Sequence, residues 1–320
     1  MSRAIVPPEP MEHASPNDRA STACGVCGAN LRDSVRRPAS TYASPGTYRI
    51  GACDACGCGQ TLPRPDEAEL AAFYARDYKY DAHVLISSEK RWRARRILDI
   101  AKVTARSAPR VLDVGCMYGY LLEEARVRGA SEAIGVELSS GPAADARKRG
   151  LDVFCGTIEE FASTRPAPFD LVVAQHVLEH VFDLASFLET AHELVAPGGR
   201  LCICVPNFDA RARRLFPEAW GWYQVPVHLH HFGLASIEKL LDAHGFEVER
   251  HERRGGDSLF VLLTLLQSMG RAPSSEAVEP GLFGKGVVRA ASAVLRPYYF
   301  VGDDELVVVA RSKKSATRTG

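Results

Sequence analysis

From residue 110 onward the chain alternates short β-type runs with helical patterns, and this alternation constrains its fold more than any other feature. Runs of strand character fall at 111–115, 133–138, 153–155, 170–175, 200–205, 246–250 and 305–310, with helical spacings at 120–128, 142–149, 184–195 and 234–244 between them. A strand followed by a crossover helix returns in the same direction, so the pattern predicts a mainly parallel sheet. The expected fold class is therefore α/β, a doubly wound, seven-stranded, mostly parallel sheet. Gly198 and Gly245 lie just past two of the helices, where a stop is needed.

The rest of the 320 residues divides around this core. Residues 1–20 mix Pro, Glu, Asn and Ser without periodicity and read as a flexible tail; 21–65 hold two cysteine pairs and end at a Pro pair; 66–315 form the large domain. Within that domain 207–233 is a long insertion after the fifth strand, too rich in aromatics and His for a passive linker, and 257–300 is a second, helical insertion. No secretory h-region opens the chain, which points to a cytoplasmic protein. The longest apolar run, 259–266, is under half the roughly 20 residues of a membrane span. It is suited to covering a site, to a homodimer face or to contact with a lipid-linked substrate. Lys and Arg total 39 against 39 Asp and Glu, so no global field draws the molecule to nucleic acid or a membrane.

The run Val111-Leu112-Asp113-Val114-Gly115 passes directly into Cys116-Met117-Tyr118-Gly119 and then a helix. Glycines at such a turn let the backbone approach a ligand at the carboxyl ends of the strands. The dinucleotide spacing G-x-G-x-x-G is absent, since Met117 and Tyr120 stand at the second and third positions, and this argues against NAD. The segment instead resembles motif I of the class I S-adenosylmethionine-dependent methyltransferases, with Asp113, Gly115 and Gly119 matching and Met117 in place of the middle glycine. Phe169-Asp170-Leu171 through Gln175, and Pro197-Gly198-Gly199 after the following helix, resemble motif IV and the turn beyond it, in the family's order. The resemblance implies S-adenosyl-L-methionine as cofactor. It implies Asp113, Gly115, Cys116 and Gly119 around the methionine moiety, Glu137 and Leu138 at the ribose, Thr157 and Ile158 bordering the adenine, and Gln175 near the methionine end.

Cys24-Gly25-Val26-Cys27-Gly28 and Cys53-Asp54-Ala55-Cys56-Gly57 are two C-x-x-C-G knuckles, a zinc-ribbon-like pattern. Four thiolates in two tight pairs close a tetrahedral shell and leave no position for water, so a structural Zn2+ on Cys24, Cys27, Cys53 and Cys56 is expected. Cys58 is an alternative to Cys56, although the symmetry of the knuckles favours Cys56. Cys116, Cys155, Cys202 and Cys204 lie on or beside strands and read as small core residues.

Methyl transfer to a hydroxyl or activated carbon requires a group to take a proton. The run Val225-Pro226-Val227-His228-Leu229-His230-His231-Phe232 resembles the P-x-H-L-x-x-F segment of a bacterial branch that includes zinc-module sugar C-methyltransferases. In those enzymes a Glu precedes the His; here Val227 does. His228 is the candidate base, with His231 beside it; His230, His176 and His180 are weaker candidates. The expected acceptor is a small molecule, a sugar or another biosynthetic intermediate. Two other readings are a zinc-module RNA methyltransferase, for which Arg91, Arg93, Arg95, Arg96, Arg211, Arg213 and Arg214 would have to form a basic face, and a non-catalytic cofactor-binding scaffold. Such Arg runs more commonly form solvated helix faces.

Overall fold

The computed structural model of the protein describes residues 22–36, 38, 47–70, 87–103, 108–255 and 302–314. The tail at 1–20 and the helical insertion at 257–300 lie outside the described residues. Strands β1 (Arg32–Val35), β2 (Arg49–Ala52) and β3 (Gly59–Leu62) come first, then α1 (Ser87–Ile100). The alternating part runs β4 (Arg110–Val114), α2 (Tyr120–Val127), β5 (Glu132–Glu137), α3 (Ser140–Lys148), β6 (Asp152–Cys155), α4 (Ile158–Ser163) and β7 (Phe169–Gln175). It continues with α5 (Leu184–Leu194), β8 (Val195–Pro206), α6 (Arg211–Leu215), β9 (His230–His231), α7 (Leu234–Ala243), β10 (Phe246–Arg254) and β11 (Glu305–Ser312).

Seven of these strands form one sheet in the order β10-β11-β8-β7-β4-β5-β6. The neighbours from β8 to β6 pair in parallel, and β11 inserts antiparallel between β8 and β10. Side chains alternate between the faces of a strand, so each strand supplies two cores. Leu112, Val114, Val172, Ala174, Ile203 and Val308 pack against Phe161 of α4, Phe187 and Leu188 of α5 and Ile237 of α7. Val111, Val173, Cys202 and Val309 pack on the other face against Ile97 and Leu98 of α1, Leu122 of α2 and Ala143 of α3. The result is a doubly wound, three-layer α/β structure.

The seven expected strands are all present, with ends shifted by a few residues at most except at β8 and β10. β8 starts at Val195 because α5 stops one residue earlier than expected, and its pairing with β7 is irregular around Phe169 and Leu171, where Pro197-Gly198 interrupts the run. The turn expected at 156–158 leads straight into α4, a helix the sequence reading did not include, with Thr157 as its N-cap. Thr157 accepts a hydrogen bond from the Glu160 amide while Glu160 accepts one from the Thr157 amide, and this reciprocal cap holds so short a helix in place.

The second sheet has the order β1-β2-β3-β9, so the 207–233 segment supplies its last strand. Gly59 pairs with His231 and Gln60 with His230. Trp220, Trp222, Tyr223 and Val225 from the same segment bury against Tyr48 and Ile50 of the N-terminal module. The two stretches read separately from sequence therefore share one sheet and one core.

Candidate active site

The sheet changes its winding direction at β4, which lies between β5 on one side and β7 on the other. A crevice opens where crossovers leave in opposite directions, and the loop after β4 lies in it. Gly115, Met117 and Gly119 in that loop have φ of 72°, 50° and 75°. A Cβ on Gly119 would run into Leu151 Cδ1, and one on Gly115 would stand 2.5 Å from Val177 Cγ2. Met117 keeps the left-handed backbone that a glycine would adopt without strain, at a cost of about 1 kcal/mol. Its substitution therefore preserves the shape of the turn.

That shape is fastened to β5. The Met117 amide donates to Glu137 Oε2 at 2.9 Å and the Ser139 amide to Glu137 Oε1 at 2.7 Å. Each carboxylate oxygen keeps a further lone pair, so a buried Glu137 can still accept from a diol such as a ribose. Cys116 is buried with its sulfur against Gly135, where no Cβ fits. Asp113, one strand over from Gly135, is fully enclosed, and burial followed by the Glu137 charge raises its pKa to about 8. Leu138 is 71% exposed, Thr157 is exposed and occupied in capping α4, Ile158 is buried, and Gln175 ends β7 half-buried.

The Asp113 shift has a measurable consequence. The folded carboxyl keeps its proton up to about 8, whereas the unfolded one releases it near 3.8. The folded state then binds the extra proton, and stability falls as pH rises through that window. Asp113→Asn cannot ionise and is expected to flatten this slope. Denaturant unfolding of both forms at about pH 5 and about pH 8 checks it; equal slopes would contradict the assignment.

On the β7–β8 side the chain brings four histidines and two carboxylates together. His176 follows Gln175, takes a φ of 53° and stacks on Trp222 with ring centroids 5.5 Å apart. His228 is buried and its Nδ1 lies 2.8 Å from the Trp222 carbonyl oxygen. Only a protonated Nδ1 can donate there, so Nε2 is left as the bare, proton-accepting nitrogen. Burial, then His180 and His231, push its pKa well below the ordinary imidazole range, so the ring is neutral. His180 makes the same kind of bond, Nδ1 to the Val227 carbonyl at 2.9 Å, and meets His228 edge-on at 4.6 Å. His231 lies behind, its Nε2 3.1 Å from Thr61 Oγ1, and Thr61 also donates to the His228 carbonyl at 2.5 Å.

Sequence reading missed the ionic cluster under these rings. Glu305 of β11 is fully buried and accepts from Arg93 of α1 and from Arg254 Nε at 2.9 Å, while His176 Nε2 stands 3.1 Å from its Oε1. Arg93, expected on a solvated face, is 1% exposed. The neighbouring arginines are paired as well: Arg91 with Glu123, Arg95 with Glu124, Arg96 with Asp99 and Glu252, and Arg211 with Asp303. A charged residue in the otherwise apolar run of β11 was the one signal in the sequence.

The cysteines meet as two superimposable knuckles. Gly28 N donates to Cys24 O and Gly57 N to Cys53 O, both at 2.8 Å, and the two glycines share a φ near 72–75°. Cys24 N bonds to Ala29 O as Cys53 N bonds to Cys58 O, so Cys58 occupies the place of Ala29. Sγ atoms of Cys24 and Cys56 are 3.5 Å apart, those of Cys27 and Cys53 3.4 Å, and all four sulfurs lie within 4.8 Å of one another. A tetrahedron with ~2.3 Å metal–sulfur bonds has edges of ~3.8 Å, so the set fits a Zn2+ ion. Cys58 stays close, and its hydrogen bond is the largest cause holding the Cys24 thiol down at about 4.

The sheet order, the left-handed turn after β4 and the acidic residue ending β5 define the class I S-adenosylmethionine-dependent methyltransferase fold. A family profile described as a methyltransferase domain matches residues 87–251, just over half of the chain, and the chain belongs to that family. Among curated relatives, the ubiquinone biosynthesis O-methyltransferase of Pseudomonas paraeruginosa is 38% identical over 108 residues, 32% of this chain and 46% of the relative. The protein of the same name from Azotobacter vinelandii is 32% identical over 154 residues, 46% of this chain and 66% of the relative. The chain thus spans about half the length of the first curated relatives it matches. A solved S-adenosylmethionine-dependent methyltransferase from Archaeoglobus fulgidus aligns with a TM-score of 0.48 at 18% identity, covering 76% of this chain and 99% of that one. Among the described residues no helix is long and apolar enough to cross a membrane.

Proposed function

We propose that the chain methylates a small-molecule acceptor with S-adenosyl-L-methionine, and that it does so at a hydroxyl. The observation that carries this reading is Glu137, a buried carboxylate held by two backbone amides at the carboxyl end of β5, facing the turn after β4. Bound there, the cofactor supplies an electrophilic methyl on a sulfonium. Glu137 accepts from its ribose hydroxyls with Leu138 beside it, Thr157 and Ile158 border the adenine, and Asp113, Gly115, Cys116, Gly119 and Gln175 surround the methionine end. His228, neutral and fixed through Nδ1, takes the acceptor proton on Nε2, with Thr61 holding its carbonyl and the His231 ring from behind. The relatives' names favour oxygen as the atom methylated, on a sugar or another biosynthetic intermediate. We assign Cys24, Cys27, Cys53 and Cys56 to a structural Zn2+, whose role is to crosslink residues 21–65. The ion pairs that neutralise Arg91, Arg93, Arg95 and Arg96 of α1 speak against an RNA acceptor on that helix.

Calorimetric titration with S-adenosylmethionine and S-adenosylhomocysteine tests the reading. Wild-type protein is expected to bind both saturably, and Glu137→Ala to bind more weakly by about 1–3 kcal/mol, since the ribose hydroxyls lose a buried acceptor. His228→Ala is expected to bind as the wild type does while transfer to any responsive acceptor falls. A well-folded wild-type protein that binds neither compound refutes the proposal.

A further inference from the structure

The resemblance to sugar C-methyltransferases places a Glu beside the candidate base, and this chain has Val227 there, buried against Leu70 and Leu229. A neutral imidazole can accept a proton alone, yet the resulting imidazolium would sit in a buried site already crowded by other rings. Burial and the neighbouring His180 and His231 already disfavour charge on His228. Some anion has to offset it for proton transfer to proceed at useful rates.

We propose that Glu179 is the carboxylate partner of His228, supplied from the turn after β7 rather than from the residue preceding the base. Glu179 lies in a single 3-10 turn, Leu178–His180, and is 1% exposed. One of its carboxylate oxygens and one ring nitrogen each from His180 and His228 lie within 4.8 Å of one another. Its Oε1 is 3.1 Å from His176 Nδ1, while the buried Oε2 has no hydrogen-bond partner. Its backbone is tied to the segment that carries the base, because the Leu229 amide donates to the Glu179 carbonyl at 2.8 Å. The other nearby carboxylate, Glu305, is occupied by Arg93 and Arg254 and reaches this cluster through His176. An orphaned buried oxygen is costly, and its persistence next to a proton-accepting ring is what a charge partner requires.

The inference rests on the methyltransferase reading above. In that reaction the acceptor O–H bond breaks, its proton passes to His228, and the oxygen pair forms the bond to the methyl carbon. The sulfur keeps the electron pair of the broken S–C bond, so the positive charge that began on the sulfonium ends on the imidazolium, beside Glu179. Glu179 acts through His228 and is a positioning residue. Its own surroundings are the rings of His176 and His180 on the same turn and His228 on the facing segment, with Glu305, Arg93 and Arg254 beyond His176. Burial raises its pKa to about 8, so Glu179 carries the offsetting charge only as pH rises through that value, and its partnership with His228 is expected to strengthen over the same range.

The test is an NMR titration of histidine-ring-labelled protein carrying S-adenosylhomocysteine. In the wild type the His228 and His180 ring signals are expected to show an inflection near pH 8, as the carboxyl beside them ionises. Glu179→Gln should abolish that inflection and Glu179→Asp restore it at a shifted pH, with affinity for S-adenosylhomocysteine unchanged in both. Ring signals that pass through this range without inflection in the wild type overturn the proposal even if the Gln variant misfolds, as does an inflection that survives in a folded Gln variant. A bound metal beyond the one held by cysteine, lost in Glu179→Gln, would also overturn it by giving the carboxylate to an ion. Loss of S-adenosylhomocysteine binding by the wild type would instead strike at the methyltransferase reading.

Discussion

Glu305→Gln is expected to lower stability by about 3–5 kcal/mol, because it leaves two buried guanidinium groups without their shared counter-ion. Arg93 and Arg254 are each 1% exposed, and they come from α1 and β10, so this carboxylate of β11 ties both elements to one buried point. Water cannot take over the lost pairing, so the charges remain desolvated and uncompensated. For a chain of this size the loss corresponds to a fall in melting temperature on the order of 10 °C. Thermal unfolding checks it, and the triple variant Arg93→Met, Arg254→Met, Glu305→Leu should recover much of the difference, since replacing an entire buried ionic group by apolar residues is often neutral or better. A single variant as stable as the wild type would mean that solvent reaches the cluster. The His176 ring would register the change as well, since its Nε2 faces Glu305 Oε1 at 3.1 Å.

The contrast between what the sequence yields and what it hides follows from the range of each interaction. Strands β4 to β7 lie close to their expected positions because the apolar runs and the glycines that stop them are local signals. The cysteine cluster was equally legible, since each C-x-x-C-G pair carries its own knuckle and only the meeting of the two is long-range. Helix α4 was missed although Thr157 and Glu160 announce a capping box three residues apart. Strand β9 has two residues and no periodicity, so its pairing with β3 left nothing to read. Arg93 and Glu305 are separated by 212 positions, and no pattern in either neighbourhood names the other. A helix with four arginines looks solvated until the strand that neutralises one of them is seen. Glu179 stands in the same position: the sequence shows Val227 where a carboxylate was wanted, and only the fold brings another to His228.

Removing the metal proposed for Cys24, Cys27, Cys53 and Cys56 is expected to disable the acceptor side before the cofactor side. Cys24, Cys53, Cys56 and Cys58 pack in the same buried cluster as Phe232, next to the histidine segment. Gln60 Oε1 accepts from the Gly25 amide at 2.8 Å, Thr61 N donates to the Leu229 carbonyl at 3.0 Å, and Thr61 Oγ1 holds the His228 carbonyl and the His231 ring. The path from the knuckles to His228 is therefore a short series of backbone and side-chain bonds across β3 and β9. Asp113, Glu137 and the turn after β4 lie on the other sheet, fastened by bonds that do not involve the module. Structural zinc in small modules supplies on the order of 10 kcal/mol of folding free energy, so Cys24→Ser with Cys53→Ser should release the four-stranded sheet as a unit. Hydrogen exchange is expected to accelerate at least a hundredfold at the Thr61 amide, while the β4 and β5 amides keep their protection and S-adenosylhomocysteine still binds. Thr61→Val isolates the last link: it retains the β3–β9 ladder and the metal, loses the two hydroxyl contacts, and should cost about 1–3 kcal/mol. If the double cysteine variant lost β4 and β5 protection together with that of Thr61, the two sheets would unfold as one body, and the module could not be credited with a separate hold on His228.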